Sequence, residues 1–393
     1  MIYCGDSKFP DYSKAKMNNS RVMDFAIPSL DGLRAVSVLI VVSAHAGFGH
    51  FIPGGLGVTI FFFLSGYLIT TLFIKEFEYT NSIAIPAFYA RRMLRLFPPL
   101  LIALAIAYAL TAMNLLSGGI TVAGIASQLL YFANYHGIFF ATVDAVPTGT
   151  GILWSLAVEE HFYLLYPFVV LAAIRLRLSP LVFVAFLITA CLAILAWRCY
   201  LATGAKFNEA RTYYASDTRF DSIIFGCILA LVANPALERR AERRLRIRDF
   251  GILVASLTLL FSTIIFRDPL FRETIRYTLQ GIALCPIFYY AIKYPDHHFF
   301  AWLNSKPIRR IGVYSYAIYL IHFVVLNFMF EQVPYFLESS ALSFVGGLAI
   351  SIAFAFLVDR FVDSYFRRLR HRFRIKSIAE NYETVPKEIR NDP

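Results

Sequence analysis

The stretch SLDGLRAVSVLIVVSAHAGFGH, residues 29–50, is a run of apolar side chains interrupted by one guanidinium, Arg34, and one imidazole, His45. A helix needs about 20 mostly apolar residues to cross a hydrocarbon core about 30 Å thick. Read outward from this stretch, the chain repeats the pattern, with apolar runs near residues 33–50, 56–74, 98–115, 155–174, 180–200, 219–233, 250–266, 274–292, 311–329 and 341–361. Composition agrees. Of 393 residues 58% are hydrophobic and only 16% charged, against roughly 25% charged in a soluble domain. So much apolar surface cannot be buried in one aqueous core, which excludes a soluble enzyme. The expected fold is an all-α integral membrane bundle of about ten transmembrane helices.

The formal charge of +11 would raise nucleic acid as a partner if the bases were clustered. They are sorted instead. With the N terminus in the cytoplasm, 29 of the 37 Lys and Arg fall in inner segments and seven in outer ones, with Arg34 at the start of the first span. That asymmetry follows the positive-inside rule, so both termini are expected in the cytoplasm and no nucleic-acid partner is expected. The stretch 120–140 is apolar too, but it holds Asn134 and His136 and is read as re-entrant or interfacial. The segment before Ser29 is polar, so no cleavable signal is expected and the first span directs insertion. Residues 1–28 form a cytoplasmic segment, 29–372 the membrane domain, and 373–393 a tail of disordered composition. Five cysteines are scattered singly, without a metal-binding or disulfide spacing. No metal is expected.

Ionisable groups in spans are functional candidates, because each costs several kcal/mol unless paired or wet. Arg34 and His45 are eleven residues apart, three turns and about 20°, so one helical stripe carries both, about 16 Å apart along the axis. A plain membrane anchor accounts equally well for Arg34, and an interhelical hydrogen bond is the simple alternative for His45. WSLAVEEHFYLLYP, 154–167, enters from the outside with Glu159 at a depth similar to that of His45. If those helices touch, Glu159 fixes the tautomer of the imidazole. Glu160 and His161 point elsewhere on that helix. Arg92 and Arg95, with Arg91 beside them, share a face in FYARRMLRLFPPL, a geometry suited to phosphate or, alternatively, to anchoring. DTRFD places Asp217 and Asp221 one turn apart with Arg219 opposite, either to bind a hydroxylated acceptor or to lock helices. IGVYSYAIYLIH puts Ser315, Tyr319 and His322 near mid-depth, where interhelical hydrogen bonds are the simplest use. FFFLSG, 61–66, reads as packing.

Seven segments in register, SLDGLRAVSVLIVVSAH, GLGVTIFFFLSGYLIT, FYARRMLRLFPP, LWSLAVEEHFYLLYP, DTRFDSIIFGCILA, IGVYSYAIYLIH and RFVDSYFRRLRHR, make the chain resemble the membrane-bound acyltransferase-3 family from residue 29 to about 372. The resemblance implies a ten-helix O-acyltransferase of the bacterial inner membrane; some relatives carry an appended hydrolase-like domain, for which no room is expected in this chain. It would move an acyl group, commonly acetyl, from cytoplasmic acyl-CoA to a carbohydrate hydroxyl on the outer face. The family's Arg-x10-His motif falls on Arg34 and His45, its Arg-x-x-Arg motif on Arg92 and Arg95, and its Trp-Ser-Leu-x-x-Glu motif on Trp154 and Glu159. Thr59 stands where Asp is usual, His161 where Gln is common, and Asp363-Ser364-Tyr365 where Glu-Arg-Pro is common.

On this reading Arg92 and Arg95 hold coenzyme phosphates, Arg34 lines the donor channel, and His45 is base or acyl carrier, all within one continuous cavity. A proton-coupled transporter with a His45–Glu159–His322 relay is the competing reading, and a non-catalytic scaffold the third. The acceptor, the acyl chain and the oligomeric state stay open.

Overall fold

The computed structural model describes residues 27–140, 145–204, 207–238, 245–333 and 335–370. The segments expected to be a cytoplasmic N terminus and a disordered tail therefore lie almost entirely outside the described residues. Among the described residues ten long helices account for the ten apolar runs. They are α1 Leu30–Ser43, α2 Gly54–Thr80, α3 Ile85–Ala112, α4 Leu153–Arg175, α5 Pro180–Thr203, α6 Ser216–Val232, α7 Ile247–Ile265, α8 Arg276–Lys293, α9 Lys306–Gln332 and α10 Ser340–Leu357. Among the described residues eight helices are long and apolar enough to cross a membrane; α6 and α8 are not among them. α6 has 17 residues and packs against α2, α5 and α8. A helix enclosed by other helices need not be apolar, because its polar groups find protein partners instead of lipid. Large apolar side chains such as Leu164, Phe168, Leu181, Phe186, Phe261, Val345 and Phe356 are exposed on the outside of the bundle, the surface that hydrocarbon covers.

The 120–140 stretch forms two short helices, Val122–Leu129 and Ala133–Phe139, separated by Tyr131 at φ 58°. At 1.5 Å per residue each rises only about 12 Å or less, so neither crosses a membrane. α3 starts at Ile85, thirteen residues before the apolar run at 98 marks it, and runs through Pro98 and Pro99. Prolines remove backbone donors inside a helix. Nearby, the Tyr316 hydroxyl donates to the Leu96 carbonyl at 2.8 Å. Arg92 and Arg95 consequently sit two to three turns inside a helix rather than at its entrance.

Helices α2 and α6 cross in close contact. A Cβ on Gly66 would lie 1.9 Å from the Ile223 carbonyl oxygen, and one on Gly226 2.0 Å from that of Phe63. Only glycine lets these backbones approach so far. α1 packs against α2, α9 and α10 and ends in a π-helical turn, Ala44–Phe48, closed by Gly47 at φ 108°. Such turns recur at functional sites because they re-aim side chains. This one carries His45.

Candidate functional site

The polar groups sort into three places along the bundle. At the end formed by residues 27–35, the start of α3 and the end of the chain as described, a cavity of about 120 Å³ is lined by Arg34, Arg92, Arg95, Ser65, Glu159 and Tyr163, with Ser155, Tyr316 and Tyr319 among the residues at its deeper end. Arg34 pairs with Asp31 at 3.2 Å. The Nε of Arg92 donates to Glu160 at 3.3 Å, and its guanidinium lies 3.0 Å over the ring of Tyr163. Arg95 makes no ion pair with a described carboxylate, and its side chain is exposed. Arg91 is directed elsewhere, 3.6 Å from Glu76. Arg370, on the extension of α10, approaches the same end and pairs with Asp363 at 3.6 Å. Three guanidiniums therefore face one small space, and the one furthest from a carboxylate is Arg95.

Glu159 does not meet His45. Its carboxylate accepts a hydrogen bond from Ser65 at 2.7 Å. The two side chains do not match in depth: Gly57 of α2 lies against Ser37 and Val41 of the antiparallel α1, which puts Ser65 and Glu159 near the level of Arg34, with which Glu159 lines the cavity, so the equal-depth expectation fails. The expected His45–Glu159–His322 relay thus lacks a direct link at Glu159. FFFLSG, read as packing alone, divides its duties: Gly66 packs, and Ser65 holds the carboxylate.

The true partner of His45 is His322 on α9. Their Nδ1 and Nε2 atoms are 2.9 Å apart, both rings buried or half-buried, and His45 stacks on Phe323 with centroids 4.2 Å apart. The tautomers follow from the next link. The Nδ1 of His322 lies 2.7 Å from the Tyr319 carbonyl oxygen. A carbonyl only accepts, so that nitrogen carries the proton, and in a neutral ring Nε2 is left as acceptor. His45 must then donate from Nδ1. Its Nε2 lone pair is free of any hydrogen bond from described residues. A backbone carbonyl, passed through a second imidazole, supplies the orientation that a carboxylate was expected to give.

The cavity and the imidazole are adjacent but not one space. The cavity lining ends at Tyr319 and Ser155, whose hydroxyls are 2.5 Å apart, with Phe61 edge-on to Tyr319 at 5.9 Å. Tyr319 also donates to the Ile152 carbonyl at 3.1 Å. This closure corrects the expectation of one continuous cavity: His45 lies beyond it, reached through His322.

The third place is the opposite end, around DTRFD. Asp221 is fully buried and paired with Arg198 at 2.9 Å, and Thr278 adds a bond at 3.2 Å. Asp217 is held by Arg211, by the Trp197 indole at 2.7 Å and by Tyr135 at 3.1 Å. Both carboxylates lock helices. Arg219 differs. It donates to the Thr59 hydroxyl at 3.1 Å and to the Tyr213 carbonyl at 3.3 Å, and sits 3.9 Å from the centroid of Tyr277, with Phe62 and Trp154 nearby. A fully buried cation is thus enclosed by aromatic faces, and Trp154 is one wall of that cage. Thr59 explains the arrangement, since an Asp there would supply a carboxylate.

Such a fold, with an arginine-lined cavity and an oriented imidazole inside a bundle of apolar helices, defines a polytopic membrane protein with a polar interior built for chemistry or passage. The family described as Acyltransferase domain matches residues 27–360, and the chain belongs to it. It is similar to a peptidoglycan O-acetyltransferase, OatA, of Listeria monocytogenes (29% identical, covering 77% of this chain and 49% of that protein). It is also similar to O-acetyltransferase OatA of Staphylococcus aureus (30% identical, 77% and 51%) and to a putative O-acetyltransferase of the same species (28%, 87% and 57%). The chain spans about half the length of the curated relatives it matches. No solved structure matches.

Proposed function

We propose that the chain is a membrane O-acetyltransferase that takes acetyl from cytoplasmic acetyl-CoA and delivers it to a carbohydrate hydroxyl on the outer side of the bacterial inner membrane, with both termini inside and ten crossings. The observation that carries the reading is the hydrogen-bond chain from the Tyr319 carbonyl through His322 to His45, which leaves the His45 Nε2 lone pair free to act. Arg95, with Arg92 and Arg34, binds the coenzyme phosphates. The cavity of about 120 Å³ is far smaller than the roughly 300–1,000 Å³ of drug-sized pockets, so it admits the acyl-thioester tip while the adenosine stays outside and the phosphates rest on the arginines at its mouth. Reaching His45 requires the Tyr319 ring to turn away from Ser155.

The acceptor oxygen then attacks the thioester carbonyl carbon while its proton passes to Nε2. The C–S bond breaks, and the departing thiolate takes that proton, which restores the neutral imidazole. While His45 is charged, its bond to His322 becomes charge-assisted and stronger. Purified protein in nanodiscs, given acetyl-labelled acetyl-CoA and a mixture of bacterial glycans, should release coenzyme A and label a glycan. Glycan uptake or transport without thioester consumption would instead support a transporter.

A further inference from the structure

A second, larger cavity of about 610 Å³ lies at the end opposite the arginine-lined one, beside the turn that carries His45. Gly49, Pro53 and Gly54 form one wall, and a Cβ on Gly54 would meet the Ala44 methyl at 3.0 Å. The remaining wall contains Arg267, Arg272, Arg276 and Gln280, with Tyr213 and Tyr214 half-buried among them and Glu209 the one carboxylate. Glu209 is drawn toward Arg272, 3.9 Å away on the exposed rim. The interior is therefore cationic.

Two side chains that line this cavity have polar atoms without a hydrogen-bond partner among the described residues. Arg276 is 9% exposed; it donates to the Tyr277 hydroxyl at 2.8 Å, but its Nε–H has no partner. Gln280 is 3% exposed; its amide nitrogen donates to Thr263 at 3.2 Å, and its carbonyl oxygen has no partner. They are four residues apart on α8, on one face. Buried polar atoms are normally satisfied; these two are closed off from solvent as they stand, but both side chains line the cavity, and a turn of either toward it offers its unused group to a ligand. The donor is a guanidinium, which matches a carboxylate or phosphate. The acceptor takes the proton of a hydroxyl. A ligand with both groups, and apolar ring faces to lie against tyrosines, is an acidic sugar.

We infer that this cavity binds the acceptor as an anionic saccharide, its acid group on Arg276 with Arg267 and Arg272 at the mouth, and a ring hydroxyl on Gln280. The identification as acceptor rests on the acetyl-transfer reading above; the binding itself does not. The test measures binding of trigalacturonate and of neutral maltotriose to the full chain in nanodiscs by calorimetry. Trigalacturonate should bind at least tenfold tighter, and its affinity should fall with added salt while that of maltotriose does not. Arg276→Gln should weaken trigalacturonate about tenfold. Arg272→Gln, at a rim position 42% exposed by side chain, tests the same field without disturbing the interior and should weaken it severalfold. Equal binding of the two sugars, or unchanged affinity in the folded variants, overturns the inference. Acetyl-CoA consumption is read in the same preparation. Trigalacturonate binding without consumption defeats the transferase reading and leaves the site standing; consumption with no charge preference does the reverse.

Discussion

Replacing His322 by Phe removes the acceptor that the Nδ1–H of His45 uses at 2.9 Å and keeps a ring of similar size. In the resting enzyme that bond is neutral and contributes about 0.5–1.5 kcal/mol; once His45 is protonated it is charge-assisted and contributes about 1.5–3 kcal/mol. The difference, about 1–1.5 kcal/mol, is lost from the transition state alone, which is roughly a five- to tenfold fall in kcat. Loss of tautomer control adds to that fall. His322 is absent from the lining of the arginine-lined cavity, so on the proposed reading the KM for acetyl-CoA should hold steady. His322→Gln offers an amide oxygen at similar reach and should recover most of the activity. Initial rates of coenzyme A release, with thermal unfolding measured on the same samples, make the comparison. A Phe variant that folds and keeps wild-type kcat, or a Gln variant no better than Phe, would refute the reasoning.

Arg95→Gln should raise the KM for acetyl-CoA about tenfold with little change in melting temperature, since Arg95 has no described carboxylate to leave behind; steady-state kinetics and a melt check both halves. Asp221→Ala strands the fully buried Arg198 and should cost about 3–5 kcal/mol, whereas the double replacement Arg198→Met with Asp221→Leu should regain much of it, as read by unfolding in detergent. Thr59→Asp places a carboxylate beside Arg219, now served by a hydroxyl at 3.1 Å, and should raise the unfolding midpoint by an amount corresponding to about 1–2 kcal/mol; a lower midpoint would show that the aromatic cage alone satisfies the cation.

Hydropathy made the ten long helices legible: eight are apolar enough to meet lipid, and α6 and α8, packed against other helices, still hold enough apolar residues to stand out as runs. It also kept 120–140 out of the count, since Asn134 and His136 interrupt the run. The start of α3 was hidden because Ile85–Phe97 is amphipathic and basic. Depth could be counted along a helix, which placed Arg34, Arg92 and Arg95 at one level. Direction across the bundle could not, because it depends on which helices touch. The depth count also misplaced Glu159, which lies beside Ser65 at the level of the arginines rather than at that of His45, and His322, assigned to generic hydrogen bonding, became the partner of the imidazole. The aromatic cage of Arg219 draws on α2, α4, α6, α8 and the 209–214 turn, and no spacing within one segment announces it. Thr59 was the nearest signal, as a missing carboxylate.

Everything in the proposed chemistry passes through the unshared lone pair of His45. Single-turnover acetyl transfer by the His45→Ala protein, reconstituted and shown to bind coenzyme A normally, measures that dependence. The account predicts a fall of about 10²–10⁴-fold, the usual contribution of a general base. Transfer at the wild-type rate would contradict it.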